Sequence, residues 1–183
     1  METKKFELTS DTKIVFGKKL FRIKALIDFG NVNKGELGGY VEKEENLSHE
    51  DNAWAYGNAK IYGNAWACGD AEICGDAEIC GNAEISGDAE IYGNARISDN
   101  AEISGDADYL CFKGLGSCNR NTTFFKCKDG HIHVVCGCFD GNLDEFAAKV
   151  RETHGNSTYA REYLACIDVV KIHFGIEEGK NGN

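Results

Sequence analysis

Alanine recurs every six residues through the middle of the chain. The register holds at ten consecutive positions, which are Ala53, Ala59, Ala65, Ala71, Ala77, Ala83, Ala89, Ala95, Ala101 and Ala107. The residue two positions after each alanine is apolar, most often isoleucine, so both side chains lie on one face of a short strand. A Gly-Asn or Gly-Asp pair, which tolerates positive φ, precedes most of the alanines. The pattern predicts a strand and a tight corner in every six residues.

Three such strands and corners close naturally into a triangular coil of 18 residues, because each unit spans six. Parallel coils stack about 4.8 Å apart, with the alanines and isoleucines filling a narrow interior. We place Val41 and Leu47 in the alanine series and Leu37 in the isoleucine series, which extends the coils upstream. The sequence therefore predicts a mainly β protein, a parallel β-helix of about four triangular coils.

The regions outside the repeat differ in composition. We divide the chain into an N-terminal cap or strand region (1–36), the repeat (37–109), a C-terminal domain (110–176) and a flexible tail (177–183). In the C-terminal domain, Asp129-Gly130 predicts a hairpin between strands over 122–126 and 131–139. Two helices follow, so this domain is a small α+β cap that covers the last coil.

The two helices are predicted from their ends and their apolar stripes. The first begins at Asn142, which forms a capping box with Glu145, and ends at Gly155. Its stripe consists of Leu143, Phe146 and Val150. The second covers 158–173, and the residues on its apolar side are Tyr159, Tyr163, Cys166 and Val170.

The repeat over 53–107 resembles the hexapeptide-repeat, left-handed β-helix proteins, which place a small and an aliphatic residue in each hexapeptide. The segments 22–26, 37–42 and 45–48 further resemble the opening of an uncharacterised group of hexapeptide proteins found in bacteriophages and prophages. The resemblance implies left-handed coils, a homotrimer and a viral or prophage origin.

An 18-residue coil assigns the outward residues to three faces. The first is strongly acidic, with Asp70, Asp88 and Asp106 at its corner and Glu72, Glu90 and Asp108 along its strand. It is either a solvated face that keeps the protein soluble or a site for a cation or a basic partner. The second alternates in charge, with Lys60, Glu78 and Arg96 in one column. The third carries Asn64, Asn82 and Asn100, which we expect to hydrogen-bond along the stack.

Aromatic residues also fall at outward positions. Trp54, Tyr56, Trp66 and Tyr92 are candidates for a binding or trimer surface, because exposed aromatic side chains are common at interfaces. The alternative is that residues 1–36 fold over them. The candidate binding residues are therefore these four aromatics, the acidic residues Asp70, Glu72, Asp88, Glu90 and Asp106, and the basic residues Arg96 and Arg120.

Metal ligands are not predicted. Cys68, Cys74 and Cys80 each fall on a different face, too far apart to share an ion. His131 and His133 point away from Cys136 and Cys138 in a continuous strand, so these pairs form a site only if a bulge intervenes. The nine cysteines are an odd count without a secretion signal and indicate reduced thiols.

Composition restricts the function. A formal net charge of -10 argues against general nucleic-acid binding. The charged opening over 1–5 and the absence of a long apolar stretch predict neither a signal peptide nor a membrane anchor, hence a cytoplasmic location. With the phage resemblance, that is the cytoplasm of the bacterial host.

Many hexapeptide β-helix proteins are acetyltransferases and need a general-base histidine. The coils over 53–107 contain no histidine, and His49 lies just before them. We therefore expect no catalytic residue and no cofactor, with an acyltransferase as one alternative and a structural spacer of a virion or assembly as another.

The favoured interpretation is a non-catalytic, homotrimeric phage-type scaffold that binds and blocks or sequesters a host factor. A defence protein with a basic surface would bind the acidic face. A signalling nucleotide would need basic residues. These are Arg96, Arg120 and a cluster consisting of Lys4, Lys5, Lys13, Lys18, Lys19, Arg22 and Lys24.

Overall fold

An antiparallel hairpin leads into the repeats. The computed structural model describes residues 4–176, so the predicted tail over 177–183 lies outside the described residues. Strands β1 (Phe6–Val15) and β2 (Lys18–Ala25) pair with each other, and β2 pairs with β3 (Leu37–Val41), all antiparallel. β3 is also the first strand of a parallel stack, so the hairpin extends one sheet of the repeat.

The repeats form a β-solenoid of about four turns, which confirms the predicted β-helix. Its two-residue strands are β4 (Trp54–Ala55), β5 (Lys60–Ile61), β6 (Trp66–Ala67), β7 (Glu72–Ile73), β8 (Glu78–Ile79), β9 (Glu84–Ile85), β10 (Glu90–Ile91), β11 (Arg96–Ile97) and β12 (Glu102–Ile103). Strands 18 residues apart pair in parallel, as Ile61 does with Ile79 and Ile79 with Ile97. The three parallel stacks are β4-β7-β10, β3-β5-β8-β11 and β6-β9-β12.

Alanine and isoleucine side chains fill the interior of the solenoid. Nine of the ten alanines, from Ala53 to Ala101, are at most 1% exposed, and the strand isoleucines are fully buried. Each buried isoleucine contributes about 1.5–3 kcal/mol. Ala107 is exposed in a 3₁₀ helix (Asp106–Asp108), so its prediction as a tenth interior alanine is wrong. Because side chains fill the interior, a partner must bind outside it.

The first coil is two residues longer than the others, which overturns part of the predicted register. Val41 pairs with Ile61 and Leu47 with Ala67, each across 20 residues instead of 18. Val41 and Leu47 therefore occupy positions of the isoleucine series, not of the alanine series. Leu37 is 50% exposed and not interior. The two extra residues lie in the segment 48–52.

The Lys5 side chain contacts the backbone of this longer segment. Its ammonium group donates to the carbonyl oxygens of Glu50, Asp51 and Ala53 at 3.2, 3.3 and 2.9 Å. Burial lowers the pKa of Lys5 to about 8, against a smaller opposing effect of the Asp51 carboxylate. The carbonyl oxygens replace the water that the buried ammonium group loses. The corner closes with Asp51 at a φ of 53°, where most corners have glycine.

The C-terminal domain contains a four-stranded antiparallel sheet, where a two-stranded hairpin was predicted. Strands β13 (Tyr109–Leu115), β14 (Arg120–Lys126), β15 (Ile132–Cys136) and β16 (Phe139–Asn142) pair in sequence order. The predicted strand over 131–139 is divided because the chain turns at Gly137, which has a φ of 64°. Phe125 and Val135 of this sheet belong to the core of the solenoid. The sheet therefore covers the last coil, as expected.

Two helices pack on the other side of this sheet. Helix α1 (Leu143–His154) has the predicted capping box, and its buried residues are Leu143, Phe146 and Val150, as predicted. Helix α2 (Thr158–His173) buries Ala160, Tyr163, Ile167 and Val170. Tyr159 is 43% exposed and Cys166 only partly buried, so the predicted stripe was one residue out of phase at these two positions. Within residues 4–176, no helix is long and apolar enough to cross a membrane.

Candidate functional site

Five carboxylates form what we call the acidic face: Asp70, Glu72, Asp88 and Glu90 lie along one stack of the solenoid, and Asp106 follows in the 3₁₀ helix. Asp108, predicted along the strand of this face, lies instead in the 3₁₀ helix and forms an ion pair with Lys126 at 3.6 Å, so we leave it out. Glu72 and Glu90 are direct partners in the parallel ladder of β7 and β10. Among residues 4–176, no lysine or arginine forms an ion pair with any of the five. Because like charges on paired strands repel, this face favours the approach of a cationic group.

The other two stacks contain compensating contacts. The Lys60 ammonium group lies 3.2 Å from the Glu78 carboxylate, and the Arg96 guanidinium group lies 3.4 Å from the same carboxylate. On the third stack, the Lys128 ammonium group lies 2.8 Å from the Glu84 carboxylate. The charges of Glu78 and Glu84, which occupy the strand position of Glu72, are therefore balanced within the chain.

The asparagine column forms as predicted. The Asn64 side-chain amide donates to Asn82 Oδ1 at 3.1 Å, and the Asn82 amide donates to Asn100 Oδ1 at 3.2 Å. These three side chains satisfy each other along the stack. We assign the column a structural role.

Three tyrosines border the acidic face. Tyr92 is 49% exposed, and its hydroxyl donates to the Glu90 carboxylate. Tyr56 is partly buried, and burial, followed by the negative charge of Glu72, raises its pKa to about 12. The Tyr109 hydroxyl donates to the Glu90 carbonyl oxygen at 2.9 Å. Of these, Tyr92 presents the largest apolar surface for a partner.

The two tryptophans have different environments. Trp66 is 41% exposed on the third stack, away from the acidic face. Trp54 is fully buried, so its prediction as an outward binding residue is wrong. The rings of Phe6 and Phe29 cover Trp54 at centroid distances of 6.1 and 5.3 Å. For Trp54, the alternative of a cover formed by residues 1–36 is therefore correct.

Arg96 and Arg120, two of the predicted binding residues, line the same pocket. It has a volume of about 340 Å³ and lies between the second stack and the cap. Lys60, Asn121 and Thr123 also line it, together with the carboxylates of Asp76 and Glu78. The pocket offers several hydrogen-bond donors to a small anionic ligand.

The predicted basic cluster over residues 4–24 is largely neutralised. Lys4, Lys18, Arg22 and Lys24 form ion pairs with Glu44, Glu42, Asp11 and Glu7, respectively. Lys5 is buried against backbone carbonyl oxygens. Lys13, which donates to Asn58 Oδ1 at 2.8 Å, and Lys19, which lies over the Phe21 ring, form no ion pair within the described residues. Arg96 is itself paired with Glu78, so the pocket is distinguished by bringing two guanidinium groups together and not by unpaired charge.

A second pocket, of about 410 Å³, lies within the cap between the sheet and α1. The exposed thiols of Cys118 and Cys138, the guanidinium group of Arg120 and the ring of His154 line it. A hydrogen bond from Ser117, then the contact and charge of Arg120, lower the pKa of the Cys118 thiol. His154 stacks on the Tyr163 ring at a centroid distance of 5.7 Å. This stacking contact indicates that His154 has a structural role in the cap.

One group of side chains within the described range has the composition of a metal site. Ligand atoms of Asp99, Cys127, His131 and His133 all lie within 4.8 Å of one another. Cys127 and His133 are buried, and Asp99 and His131 are partly buried. Burial, then the nearby charge of Asp99, raises the pKa of the Cys127 thiol to about 12. The sequence pattern predicts no metal ligand here, because it pairs the histidines with Cys136 and Cys138 and not with Cys127.

The hairpin turn contained the signal that would have identified Cys127. Phe125 pairs with His133 and Lys126 with Ile132, so Cys127 lies opposite His131, across the Asp129-Gly130 turn. Cysteine and both histidines therefore share one face of the hairpin. Asp99 gives no such signal, because its position depends on how the cap docks on the last coil.

Comparison with known proteins finds no family model that matches the chain and no curated protein that is similar to it. The β-solenoid is consistent with the β-helix fold that the resemblance implies, and no family match supports an assignment to hexapeptide-repeat or bacteriophage proteins.

Proposed function

We propose that the protein is a non-catalytic binding protein whose acidic face binds a basic surface of another protein. The observation that carries the proposal is the contrast between equivalent strand positions. Glu72 and Glu90 stack on each other, and neither forms an ion pair with a lysine or arginine among residues 4–176, whereas Glu78 and Glu84 each contact a lysine. A basic partner would relieve the repulsion along the acidic face and gain a charge-complementary contact.

The rigid shape of the repeat suits such a role. Backbone hydrogen bonds between successive coils fix the carboxylates in a row, since the Glu72 N–H donates to the Ala89 oxygen at 2.9 Å and the Cys74 N–H donates to the Ile91 oxygen at 2.7 Å. A row that is ordered before binding loses little conformational entropy when a partner docks. Tyr92 adds an exposed aromatic ring at the edge of the row.

The resemblance to phage proteins extends the proposal to its setting. The partner is a host factor, such as a defence protein, that the scaffold blocks or sequesters in the cytoplasm of the bacterial host. Left-handed coils of triangular cross-section and assembly as a homotrimer belong to the same proposal. An acyltransferase is not favoured, because the coils contain no histidine to act as a general base.

A pair of double variants tests the role of the acidic face. Glu72→Gln with Glu90→Gln removes two charges from it, and Glu84→Gln with Glu102→Gln removes two charges from the same strand positions of the third stack. The two variants have equal net charge. The immobilised full chain and both variants are compared in binding a series of lysine- and arginine-rich peptides and proteins from a bacterial lysate.

The proposal predicts salt-sensitive binding of a basic protein by the wild type and by the third-stack variant. The acidic-face variant binds it at least roughly tenfold more weakly, because two charge contacts are lost. Equal binding by the two variants would show that net charge alone attracts the protein, and the proposal would then fail.

A small anionic ligand is the second candidate, and the meeting of Arg96 and Arg120 in one pocket favours it. A nucleotide that binds there raises the melting temperature of the wild type, because ligand binding to the native state stabilises it. The rise is lost in Arg120→Gln and kept in Arg151→Gln, a control on the exposed side of α1. The absence of a shift with cyclic and linear nucleotides would exclude them as ligands of this pocket.

A further inference from the structure

The His131 and His133 rings are oriented by carboxylates on their outer sides. His131 Nδ1 lies 2.5 Å from Asp129 Oδ1, and His133 Nε2 lies 2.6 Å from Asp140 Oδ1. An ionised carboxylate can only accept a hydrogen bond, so these two ring nitrogens carry the hydrogens. Histidine ligands of metals are commonly held in this way, which fixes the tautomer and the ring orientation.

The inner nitrogens of the two rings face each other. His131 Nε2 lies 3.4 Å from His133 Nδ1, and each has a free lone pair in the neutral ring. Two lone pairs at this distance repel unless a cation lies between them. Asp99 Oδ2 lies 3.6 Å from His133 Nδ1 on the same side, so an anionic oxygen also points to this position.

The distances agree with a tetrahedral zinc centre. Zinc binds nitrogen and oxygen at about 2.0–2.1 Å, so two such ligands in a tetrahedron lie about 3.3–3.4 Å apart. The nitrogen-to-nitrogen distance of 3.4 Å and the nitrogen-to-oxygen distance of 3.6 Å fit this geometry. The Cys127 sulfur lies within 4.8 Å of the other three ligand atoms, close enough to supply the fourth ligand.

The site joins the cap to the last coil. The Cys127 N–H donates to the His131 oxygen at 3.0 Å, and the Lys128 N–H donates to the Asn100 oxygen at 3.1 Å. The hairpin turn thus rests on the corner that contains Asp99. At that corner Asp99 has a φ of 56°, a conformation for which most corners use glycine. Aspartate is less favourable than glycine in this conformation, so its presence brings a carboxylate to the site at a cost in backbone strain.

We propose that Asp99, Cys127, His131 and His133 bind one zinc ion that fastens the cap to the solenoid. Cysteine sulfur, imidazole nitrogen and carboxylate oxygen are all zinc ligands, and four protein ligands make a closed, structural site. On binding, the Cys127 sulfur forms a bond to the metal and its proton passes to solvent. Asp129 and Asp140 orient the two rings.

The proposal is tested with the full chain, stripped of metal by a chelator under reducing conditions and then titrated with zinc chloride. We expect one bound zinc per chain by elemental mass spectrometry. We also expect the melting temperature to rise by roughly 5–10 °C when free zinc exceeds the Kd about 100-fold. Cobalt(II) in place of zinc should show a thiolate-to-metal absorption band.

Ligand variants and matched controls locate the site. Cys127→Ser and His131→Gln should lose the bound zinc, and Cys127→Ser should also lose the cobalt band. Cys111→Ser and His154→Gln change the same residue types elsewhere in the cap and should bind as the wild type does. The His131 side chain is 35% exposed, so His131→Gln is expected to fold, which circular dichroism checks.

Three results would overturn the proposal. The first is substoichiometric zinc on the folded wild type, and the second is full zinc binding by folded His131→Gln and Cys127→Ser. The third is a melting temperature that responds to pH and not to zinc, which would indicate that a proton, shared between the two imidazoles, occupies the position between them.

Discussion

Two corner glycines allow the stacking of the coils to be tested quantitatively. Gly57 and Gly81 have nearly the same backbone conformation, with φ of 61° and 69°. A Cβ atom on Gly57 would lie 3.6 Å from the nearest heavy atom, the Gly75 oxygen, which is an ordinary contact. A Cβ atom on Gly81 would lie 2.7 Å from the Asp99 nitrogen and 2.9 Å from its oxygen. Alanine thus fits at one corner and meets the backbone of the next coil at the other.

The expected costs follow from these distances. Both alanines occupy the left-handed region, which costs each of them roughly 1–2 kcal/mol. At Gly81 the next corner must also move, and overpacking of this kind costs about 1–3 kcal/mol more. Gly57→Ala should therefore lower the free energy of unfolding by about 1–2 kcal/mol and Gly81→Ala by about 2–5 kcal/mol.

The assay is urea denaturation of the two variants and the wild type, followed by circular dichroism, with equal m-values as the check for a two-state comparison. Because backbone conformation is matched, the difference between the variants measures the contact between coils. If Gly57→Ala destabilises the protein as much as Gly81→Ala, the Gly81 corner does not lie against the backbone of the next coil, and the described stacking is wrong.

Two further predictions concern the asparagine column and the buried lysine. Asn82→Ala removes both hydrogen bonds of the column and should lower the free energy of unfolding by about 1 kcal/mol. The control Asn94→Ala, on the second stack, should change it by less than about 0.5 kcal/mol. Urea denaturation measures both. The pKa of Lys5 is about 8 in the folded protein and 10.5 in the unfolded chain, so between these values the unfolded chain binds more protons. Protonation of Lys5 therefore lowers the free energy of unfolding. The effect is absent above pH 10.5 and complete below about pH 8. The free energy of unfolding of the wild type minus that of Lys5→Met should decrease by up to about 3 kcal/mol as the pH is lowered from 10.5 to about 8. A difference that does not change with pH would contradict the buried position of Lys5.

The periodic part of the fold could be predicted from the sequence because each hexapeptide repeats the same local and long-range environment. Ile61, Ile79 and Ile97 stack in the register that their spacing indicates. The register failed in the first coil, where Leu37 is exposed, because the two additional residues over 48–52 have no periodic signature. The segment closes around Lys5, which is more than 40 residues away in the sequence.

The binding surface was predictable only in part. The acidic face follows directly from the 18-residue stacking, since Glu72 and Glu90 are paired as expected. The burial of Trp54 was not predictable from alternation alone, because alternation places a side chain outward and does not say what covers it. Here the covering residues, Phe6 and Phe29, come from a hairpin and a loop distant in sequence.

Three of the four candidate zinc ligands were likewise predictable from the sequence, and the fourth was not. Cys127, His131 and His133 follow from the register of the predicted hairpin, because residues opposite each other across the Asp129-Gly130 turn share one face. Asp99 required the docking of the cap on the solenoid, which depends on the packing of Phe125 and Val135 on the last coil. Contacts between elements that are distant in sequence leave no local pattern.

Disulfide trapping tests the 18-residue coil most directly. Cys68, Cys74 and Cys80 lie on three different stacks. Ser86 lies one coil beyond Cys68 on the same stack, because the Cys68 N–H donates to the oxygen of Ile85, the residue before Ser86, at 2.9 Å. A coil spacing of about 4.8 Å is within the range of Cα separations that a disulfide spans. After mild oxidation of dilute Ser86→Cys protein, peptide mass spectrometry should find the new thiol linked to Cys68. A link to Cys80, only six residues away, or to Cys74 would contradict the solenoid.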